Sequence, residues 1–499
     1  MLEKTIFDPE VFCSDSFRNY VETAMPALVH YLDDHIPKGV DVYDPSVLTG
    51  MARELMVGDT GTPAPFDKDR FRRILNLYMR TGLSVHTPGS MGRQYSGTFP
   101  LAAVTDMVSS VVNQPCSFYE ASQLPCVAEK IMGGELNRFI GFDSGRFAML
   151  TTSGGSLANL TALLAARNHK YPGCLSGGMG ACCGNGLPAV AMGEDAHYSL
   201  VRAVEALGIG EEQIVRMPLN DKRQIDVGQV QRTLDRAAAA GLDVFCLLAS
   251  AGTTPVGAID PLGELAEIAQ KNGLWYHVDG CHGASLLLSD KLRPLLEGIG
   301  RADSISWDAH KMMSVPSPCS LLFYKDRETA GGAFRQEASY VFDREPGICS
   351  GYEGASMNFE CTKRPMIMNL WILWAMHGRT LFSSRIERLC GLCMEAYRIL
   401  LENQDFETLH SPQTNILCFR HRPENLPETL PYSLFQQEIR KRICRAGRYF
   451  ISKTDIAGET ALRVVIMNHE HTSDTFRELL REIRKAGQDI IFEYKKISN

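Results

Sequence analysis

The chain has 499 residues, of which 44% are hydrophobic and 22% are charged, a composition typical of globular proteins. This length is too great for one small core, so we expect one large domain with smaller appendages. The net charge of −7 and the pI of about 6.0 disfavour a nucleic-acid partner. No run approaches the roughly 20 apolar residues of a membrane span, which disfavours a membrane partner.

The 15 cysteines are scattered and mostly have apolar neighbours, as Cys246 and Cys418 do. This pattern predicts buried thiols in a reducing compartment, the cytoplasm, and disfavours a disulfide framework. Cys390 and Cys393 form a lone Cys-x-x-Cys in a helix-like segment, so we expect core thiols there and no metal site. The N-terminal segment contains acidic residues and lacks a long apolar run, so we do not expect a signal peptide.

Residues 1–100 predict a helical arm that ends in a loop. Apolar residues recur at helical spacing from about residue 8 to residue 80. Such an arm packs either on its own chain or on a partner subunit, and the sequence leaves both open. Residues 85–100 are rich in Gly, Pro and Ser, and a loop of this kind is either a plain connection or a binding element for substrate.

Residues 101–385 predict the large domain. From about residue 147 to residue 325, short apolar runs alternate with helical segments, and the runs are FAMLTT, AVAMG, QIVRMP, VFCLLAS, LWYHVD, SISW and SLLFY. This alternation predicts an α/β fold with a mostly parallel sheet, helices on both faces and strand C-termini along one edge. In residues 386–499, strands and helices alternate in an α+β manner, which predicts a small C-terminal domain.

Polar residues of unusual type follow four of these predicted strands. After FAMLTT, Gly154, Gly155 and Ser156 open a helix, where free N–H groups and the helix dipole favour a phosphate. The alternative is an ordinary helix cap at Ser156. The other three strand ends carry His197, Asp279 and the pair His310-Lys311.

Together these strand ends fit pyridoxal 5'-phosphate. The cofactor needs a lysine for a Schiff base, a carboxylate opposite the ring nitrogen, a flat side chain over the ring and a phosphate cup. Lys311, Asp279 and His197 supply the first three, in that order. An acidic residue that ends a buried strand is costly unless a cation pairs with it, and the protonated ring nitrogen is such a cation. Thr253 ends another predicted strand, and we expect it at the same pocket.

The motifs around these residues are specific enough to indicate a family. They include NQPCSFYEAS, TTSGGSLANLTALLAARN, EDAHYSLVRAVEALG, SAGTTPVGAIDP, LWYHVDGCHGA and SWDAHKMMSVP. From about residue 70 to the C-terminus, the chain resembles the group II pyridoxal-phosphate-dependent amino acid decarboxylases, which include glutamate, cysteine sulfinate, aromatic amino acid and diaminobutyrate decarboxylases. DAHKMM with the downstream CSLLF is most similar to the glutamate and cysteine sulfinate branch. The resemblance implies a PLP-dependent transferase fold of type I and a homodimer whose active site lies at the subunit interface.

The resemblance also implies roles for the matching residues. Lys311 matches the Schiff-base lysine, Asp279 the partner of the ring nitrogen, and His197 the ring-stacking histidine. His310 matches the histidine beside the lysine, and Asp308 stands where some members have asparagine; we expect both to bind the cofactor. The phosphate cup is matched by Gly155 and Ser156.

The substrate is indicated by three further residues. Arg463, in LRVVIMN, matches an arginine that contacts the substrate carboxylate in the glutamate branch. His86 and Arg93 lie in the loop of residues 85–100, and Arg93 is equally compatible with a surface or interface position. With the branch resemblance, the two arginines favour an acidic amino acid.

One departure from the family concerns the proton donor. Relatives carry a loop tyrosine that reprotonates the carbanion left after CO2 is lost, and alignment without a gap puts Ile348 at that position. Tyr352 matches a second, non-catalytic tyrosine. A repositioned Tyr352, or another acid such as His282, would supply the proton. Without a donor, protonation at the cofactor carbon would give an aldehyde instead of an amine.

We therefore predict an enzyme, a PLP-dependent lyase that releases CO2 from an L-amino acid, with an acidic substrate favoured. Its predicted catalytic residues are Lys311, His197, His310 and Tyr352. Two alternatives stay open. One is a decarboxylation-dependent oxidative deaminase or a transaminase on the same scaffold, and the other is a non-catalytic dimeric scaffold.

Overall fold

The structure is a computed structural model, and it describes residues 13–33, 40–58, 64–116, 118–182, 186–334, 352 and 354–498. The chain divides into two compact units. The smaller unit comprises residues 1–93, 420–464 and 470–499, and the larger unit comprises residues 94–419 and 465–469. Compactness alone does not show that a segment folds independently, so the three domains indicated by the sequence stay a prediction.

The N-terminal part of the smaller unit is helical. Its elements are α1 (Ser14–Asp33), β1 (Val40–Asp41), α2 (Pro45–Glu54), α3 (Lys68–Arg80) and β2 (Gly82–Leu83). The two short strands pair antiparallel. α3 begins after Asp67, whose carboxylate accepts hydrogen bonds at 3.0 Å from the backbone N–H groups of Asp69 and Arg70. Of its own residues α1 buries only Thr23, and α2 buries none.

The larger unit begins with helices and continues with alternating strands and helices. In chain order its elements are α4 (Pro100–Val112), α5 (Gln123–Ile140), β3 (Ala148–Thr152), α6 (Gly155–Lys170), α7 (Cys174–Gly177), β4 (Leu187–Gly193), α8 (Tyr198–Ala206), β5 (Ile214–Met217), α9 (Val227–Ala239), β6 (Leu242–Ser250), α10 (Leu262–Lys271), β7 (Trp275–Asp279), β8 (Ser304–Asp308), β9 (Ser320–Tyr324), α11 (Arg327–Gly332), α12 (Ile367–Leu401) and β10 (Phe406–Thr408). Short 3₁₀ turns lie at Met179–Cys182, Glu211–Gln213, Gly283–Leu288, Arg293–Leu296, Ile299–Arg301 and Gly354–Met357. Gly378 has non-helical backbone angles and interrupts α12.

Strands β3 to β9 form one seven-stranded sheet in the order β3-β9-β8-β7-β6-β4-β5. β4 pairs parallel with β5 and β6, and β7 pairs parallel with β6 and β8. β9 runs antiparallel to both of its neighbours, β3 and β8. These seven strands coincide with the apolar runs predicted as strands, and α6, α8, α9 and α10 lie between them as predicted. The α/β fold with a mostly parallel sheet is confirmed.

Alternate residues of each strand pack on opposite faces of the sheet. On one face, Trp307 and Phe323 pack with apolar residues of α5, α9, α10 and α12. On the other face, Leu322 and Tyr324 pack with apolar residues of α6 and α8. Because helices cover both faces, the strands are buried on both sides and read as nearly continuous apolar runs.

Five elements follow along the chain after β10. They are β11 (Ile416–His421), α13 (Tyr432–Ala446), β12 (Ser452–Ile456), β13 (Glu459–Val465) and α14 (Ser473–Ser498). β12 and β13 pair antiparallel, with Ser452 opposite Arg463. The sequence predicts four of these elements but not β12, because the segment SKTDI has no apolar run and buries only Ser452 and Ile456.

The cysteines follow the prediction in most places. Within the described residues, buried thiols occur at Cys116, Cys126, Cys246, Cys281, Cys319, Cys390, Cys393 and Cys418. Cys174 departs from the prediction, because it is disulfide-bonded. The prediction of buried thiols therefore holds at these eight positions, but not at Cys174 or at Cys13 and Cys361, which are exposed.

The described ranges contain neither a candidate membrane-spanning helix nor a candidate metal cluster. None of the helices in these ranges combines the length and the apolar character that crossing a bilayer requires. None of their His, Cys, Asp and Glu side chains forms a group of three or more that could hold a metal ion.

Candidate active site

One edge of the sheet collects the ends of β6, β7 and β8. The parallel strands place Ser250 opposite Asp279, and Asp279 opposite Ser306. β9 enters at this edge because it is antiparallel, so Ser320 lies opposite Asp308. Residues far apart in sequence therefore meet at the strand ends, where α/β sheets bind their ligands.

Lys311 lies in the tight turn that follows β8. Its N–H donates to the Asp308 carbonyl at 3.3 Å, and the Ser314 N–H donates to the Lys311 carbonyl at 3.1 Å. The lysine Nζ is 2.9 Å from Asp308 Oδ2 at the sheet edge. The Ser96 hydroxyl lies 2.9 Å from the Ser314 hydroxyl and donates to the Lys311 carbonyl at 3.4 Å. The end of the predicted substrate loop therefore packs on the turn that carries Lys311.

Asp308 is the counter-ion of Lys311. Its carboxylate is buried and accepts a hydrogen bond from the Ser320 hydroxyl, and His310 Nε2 is 3.7 Å away. Burial alone would raise the pKa of Asp308, but the Lys311 ammonium and His310 hold that pKa below its ordinary value. Burial opposes the charge on Lys311, but the Asp308 carboxylate raises the pKa of Lys311 above its ordinary value. The two side chains therefore form an ion pair as long as Lys311 is a free amine.

Two glycines join β3 to α6 at the predicted phosphate cup. Gly154 has φ of 118°, which favours glycine, and it occupies the N-cap position, so the cap is not at Ser156. A Cβ on Gly155 would lie 2.6 Å from Cys281 Sγ and 2.9 Å from each carboxylate oxygen of Asp308. Because residue 155 is glycine, the start of α6 can lie close to Asp308, the counter-ion of Lys311. No described side chain caps α6, so its first N–H groups are left to bind an anion.

Asp279 and His197 are joined through side chains of α6 and α8. Asn159 Nδ2 is 3.1 Å from Asp279 Oδ2 and 3.3 Å from Ser199 Oγ. Ser199 Oγ is in turn 2.7 Å from His197 Nδ1. The Cys281 N–H donates to the other oxygen of Asp279 at 3.1 Å. Burial lowers the pKa of His197, and the negative charge of Asp279 opposes this shift without cancelling it.

Two other predicted residues have polar partners in the larger unit. Thr253 is buried, and its Oγ1 accepts a hydrogen bond from the Ala258 N–H at 3.0 Å within the same loop. His282 is also buried, and its Nε2 lies 2.7 Å from Asn415 Oδ1. These contacts do not test the roles expected at the cofactor or as proton donor, which stay predictions.

Tyr352 is held by two neighbouring side chains. Its ring centroid lies 5.5 Å from that of Tyr119 and 4.0 Å from the ammonium of Lys130, a cation–π contact. Ile348, which stands at the position of the family's loop tyrosine, lies outside the described residues. The structure therefore shows how Tyr352 is packed and does not test its catalytic role.

The predicted substrate residues Arg463, Arg93 and His86 lie in the smaller unit. Arg463 is buried, and its Nη1 donates to the Gly92 carbonyl at 3.4 Å. Arg93, the next residue along the loop, is exposed. The His86 ring packs edge-on against Tyr31 with centroids 5.7 Å apart. Arg463 thus holds the loop segment that presents Arg93, and contact with substrate stays a prediction for all three.

Comparison with known proteins decides the family. The family model described as "Pyridoxal-dependent decarboxylase conserved domain" matches residues 74–422. The chain belongs to the pyridoxal-dependent decarboxylases. It is 29% identical over 436 residues to the L-2,4-diaminobutyrate decarboxylase of Acinetobacter baumannii, with 84% of each chain covered. It is 27% identical to the cysteine sulfinic acid decarboxylase of Homo sapiens, with 85% of this chain and 86% of the relative covered.

A solved structure shows the same fold. The crystal structure of mouse CSAD in apo form has a TM-score of 0.86 at 22% identity, and the match covers 96% of this chain and 100% of that chain. The type I fold predicted for this decarboxylase is therefore confirmed.

The residues at the sheet edge fit the cofactor of this family, pyridoxal 5'-phosphate. Lys311 offers an amine, Asp279 a buried carboxylate and His197 a flat imidazole, and all three are electrostatically coupled. The start of α6, without a side-chain cap, lies against Asp308 beside them. This donor set has the chemistry that the cofactor requires.

Four residues that contact the candidate site or its edge were not predicted from the sequence, and they are Asn159, Ser199, Ser320 and Glu360. The Glu360 carboxylate accepts a hydrogen bond at 2.9 Å from the Ser153 N–H, directly before the phosphate cup. Asn159 had a signal in the sequence, because an amide inside the apolar segment SLANLTALLAAR needs buried partners. Ser199 lies two residues from His197, whereas Ser320 and Glu360 reach the site through residues that are farther away in the sequence.

Proposed function

We propose that the protein is a pyridoxal 5'-phosphate-dependent decarboxylase that releases CO2 from an acidic L-amino acid. The observation that carries the proposal is the meeting of Lys311, Asp308 and Asp279 at one buried sheet edge beside the start of α6. Family membership supports a lyase that acts on amino acids. When bound, the cofactor supplies an electron sink for the electron pair that CO2 leaves behind.

Each side chain at the edge has a task in this proposal. Lys311 would hold the cofactor through its amine, and Asp308 would keep a proton on that amine whenever it is released. Asp279 would pair with the ring nitrogen and keep it protonated. His197 would cover one face of the ring and exclude water from it. The N–H groups of Gly155 and Ser156 would bind the phosphate.

An acidic substrate is supported by relatives and by two arginines. A Mus musculus relative, 25% identical over 448 residues, is named acidic amino acid decarboxylase GADL1, and the human relative is named for cysteine sulfinic acid. The substrate in the Acinetobacter relative's name carries a side-chain amine instead. Arg463 and Arg93 would bind a carboxylate or sulfinate through charge-assisted hydrogen bonds and would repel an ammonium.

We expect the purified holoenzyme to release CO2 from glutamate, aspartate or cysteine sulfinate about tenfold faster, as kcat/KM, than from 2,4-diaminobutyrate or tryptophan. A tenfold preference needs only about 1.4 kcal/mol, which one charge-assisted contact supplies. Trapping of CO2 and mass spectrometry of the products measure the preference. Fastest turnover of 2,4-diaminobutyrate would contradict the acidic substrate, and no CO2 from any amino acid would contradict the decarboxylase.

The second candidate function is aldehyde production on the same scaffold. It is favoured by Ile348, because a hydrocarbon side chain cannot donate the proton that the loop tyrosine donates in relatives. Dioxygen would then take the electron pair left by CO2 and be reduced to hydrogen peroxide, and water would release the aldehyde and ammonia. The identity of the organic product, amine or aldehyde, decides between the two candidates.

We further propose that the enzyme is a homodimer in the cytoplasm. On α4 of the larger unit, Val104, Val108 and Val111 are 52%, 51% and 59% exposed and share one helix face. In the smaller unit, α1 exposes a similar stripe at Met25, Leu28, Val29 and Leu32. Apolar stripes of this kind favour burial against a second subunit, and the buried thiols favour a reducing compartment.

Sedimentation of the wild-type protein should give a species of twice the chain mass of 55.3 kDa. We expect Val108→Glu/Val111→Glu to shift the protein to monomer, because two buried charges at an interface are strongly unfavourable. Ala238→Glu/Ala239→Glu, at exposed positions of α9, adds the same charges and should stay dimeric. A wild-type monomer at all concentrations would exclude the homodimer.

A further inference from the structure

A buried chain of polar side chains runs below the sheet edge, on the face covered by α6 and α8. Because side chains alternate along a strand, residues 275, 277 and 279 of β7 and residues 304 and 306 of β8 share this face. Asn159 of α6 is 1% exposed and lies at the centre of the chain. Polar groups buried on an otherwise apolar face cost stability unless each is paired. The hydrogen-bond partners of each group therefore indicate the role of this series of side chains.

The neighbours of Asn159 fix the orientation of its amide. A carboxylate only accepts hydrogen bonds, so the group that lies 3.1 Å from Asp279 Oδ2 is the amide N–H. Asn159 Oδ1 then faces the other way, where it lies 2.6 Å from Ser306 Oγ and 3.2 Å from His277 Nε2. Both of these groups donate to it.

His277 of β7 connects Asn159 to Ser304 of β8 through its two ring nitrogens. Since its Nε2–H donates to Asn159, a neutral His277 accepts at Nδ1 from the Ser304 hydroxyl, 2.8 Å away. Trp275 Nε1–H can only donate, and it lies 2.9 Å from the same hydroxyl. Burial lowers the pKa of His277 to about 4, so the ring is neutral near pH 7. In the series from Trp275 through Ser304, His277 and Asn159 to Asp279, each group therefore donates a hydrogen bond to the next, and the Asp279 carboxylate is the last acceptor.

A second branch leads from Asn159 to His197. The backbone N–H of Ser199 donates to His197 Nδ1 at 3.3 Å, and a backbone N–H cannot accept. Nδ1 is therefore an acceptor, and the neutral ring carries its proton on Nε2. The Ser199 hydroxyl accepts from Asn159 Nδ2 at 3.3 Å and donates to His197 Nδ1 at 2.7 Å.

We propose that Asn159 is a positioning residue that fixes the Asp279 carboxylate and, through Ser199, holds His197 as its Nε2–H tautomer. The inference rests on the proposed placement of Asp279 and His197 at the cofactor. Asn159 serves both branches because its amide offers two N–H donors and one acceptor in a single plane. Aspartate at this position would lack the donors, and leucine would lack both kinds of group.

The test compares Asn159→Leu with a matched change in the same helix, Asn168→Leu. Asn168 is also buried, and it donates to the Ala333 carbonyl at 2.8 Å. We expect Asn159→Leu to weaken the binding of pyridoxal 5'-phosphate to the apoprotein by about tenfold to a hundredfold, because Asp279 loses a charge-assisted donor. Asn168→Leu should lower Tm to a similar extent and leave the affinity within about twofold. Absorbance titration measures the affinity.

Equal affinities of the two variants for the cofactor would overturn the proposal, because Asn159 would then be only a core residue. If Asn159→Leu does not fold, Asn159→Ser removes the same donor to Asp279 and is read in the same way. Since cofactor binding is the readout, a wild-type protein that binds the cofactor without releasing CO2 would contradict the proposed function and leave the role of Asn159 standing.

The tautomer is tested on the wild-type holoprotein with isotope-labelled histidine. We expect nitrogen–proton correlation spectra to show His197 and His277 both protonated at Nε2. The signals are assigned by their loss in His197→Gln and His277→Gln. A proton on Nδ1 of His197 would overturn this part of the proposal, whatever the activity of the sample.

Discussion

Replacing Lys311 with alanine should remove the visible absorption of the bound cofactor and lower kcat for CO2 release by roughly a thousandfold or more. Covalent attachment and correct positioning of the reacting group are lost together in this variant. Lys325→Ala is the matched control, because Lys325 directly follows β9 but is exposed. We expect it to keep both the spectrum and the activity. Normal turnover by Lys311→Ala would contradict the assignment of Lys311 as the lysine that holds the cofactor.

Lys311→Ala also takes the cation away from Asp308, so stability must be measured beside activity. A buried carboxylate left without its partner costs about 3–5 kcal/mol, which should appear as a lower Tm. The double variant Lys311→Ala/Asp308→Asn replaces the carboxylate with the amide that some relatives have. We expect it to regain most of the lost stability and none of the activity. Recovery of activity would mean that the loss came from misfolding.

The sheet was predictable because its seven strands are short apolar runs with helices on both sides. β3, β7, β8 and β9 bury every residue, so the sequence carries the signal locally. β12 carries no such signal, since its middle residues alternate between exposed and half-buried, and only its hairpin pairing with β13 identifies it as a strand. Strands buried on both faces could therefore be predicted from the sequence, whereas a strand buried at only two positions of one face could not.

The sequence indicated candidate residues for the site but not the contacts between them. Lys311 and Asp279 are conspicuous because charges at the ends of apolar runs need partners. Asp308 was predicted only as a cofactor-binding residue, and its contact of 2.9 Å with Lys311 depends on the turn after β8. The contact between Ser320 and Asp308 depends on β9 running antiparallel, a direction that the apolar run itself does not reveal.

Replacing Tyr352 with phenylalanine should change the product from mostly amine to mostly aldehyde. The sequence predicts Tyr352 as a catalytic residue that would donate the proton, and a positioned acid contributes about a hundredfold to ten-thousandfold to such a transfer. Phenylalanine keeps the packing on Tyr119 and the contact with Lys130, so only the hydroxyl is lost. We therefore expect unchanged Tm and a ratio of amine to aldehyde that falls at least about tenfold, as measured by mass spectrometry.

Ile348→Tyr in the Tyr352→Phe background should restore the amine, because it places a hydroxyl where relatives carry their loop tyrosine. Ile348→Phe in the same background adds the ring without the acid, and we expect it to leave the aldehyde as the main product. If the oxidative route operates, the amount of oxygen that each variant consumes should be proportional to the amount of aldehyde that it forms. An unchanged product in Tyr352→Phe would exclude Tyr352 as the donor, and aldehyde from the wild-type enzyme would favour the second candidate function. In that case Ile348→Tyr alone should convert the enzyme to an amine-forming decarboxylase, since the scaffold of Lys311 and Asp279 is common to both outcomes.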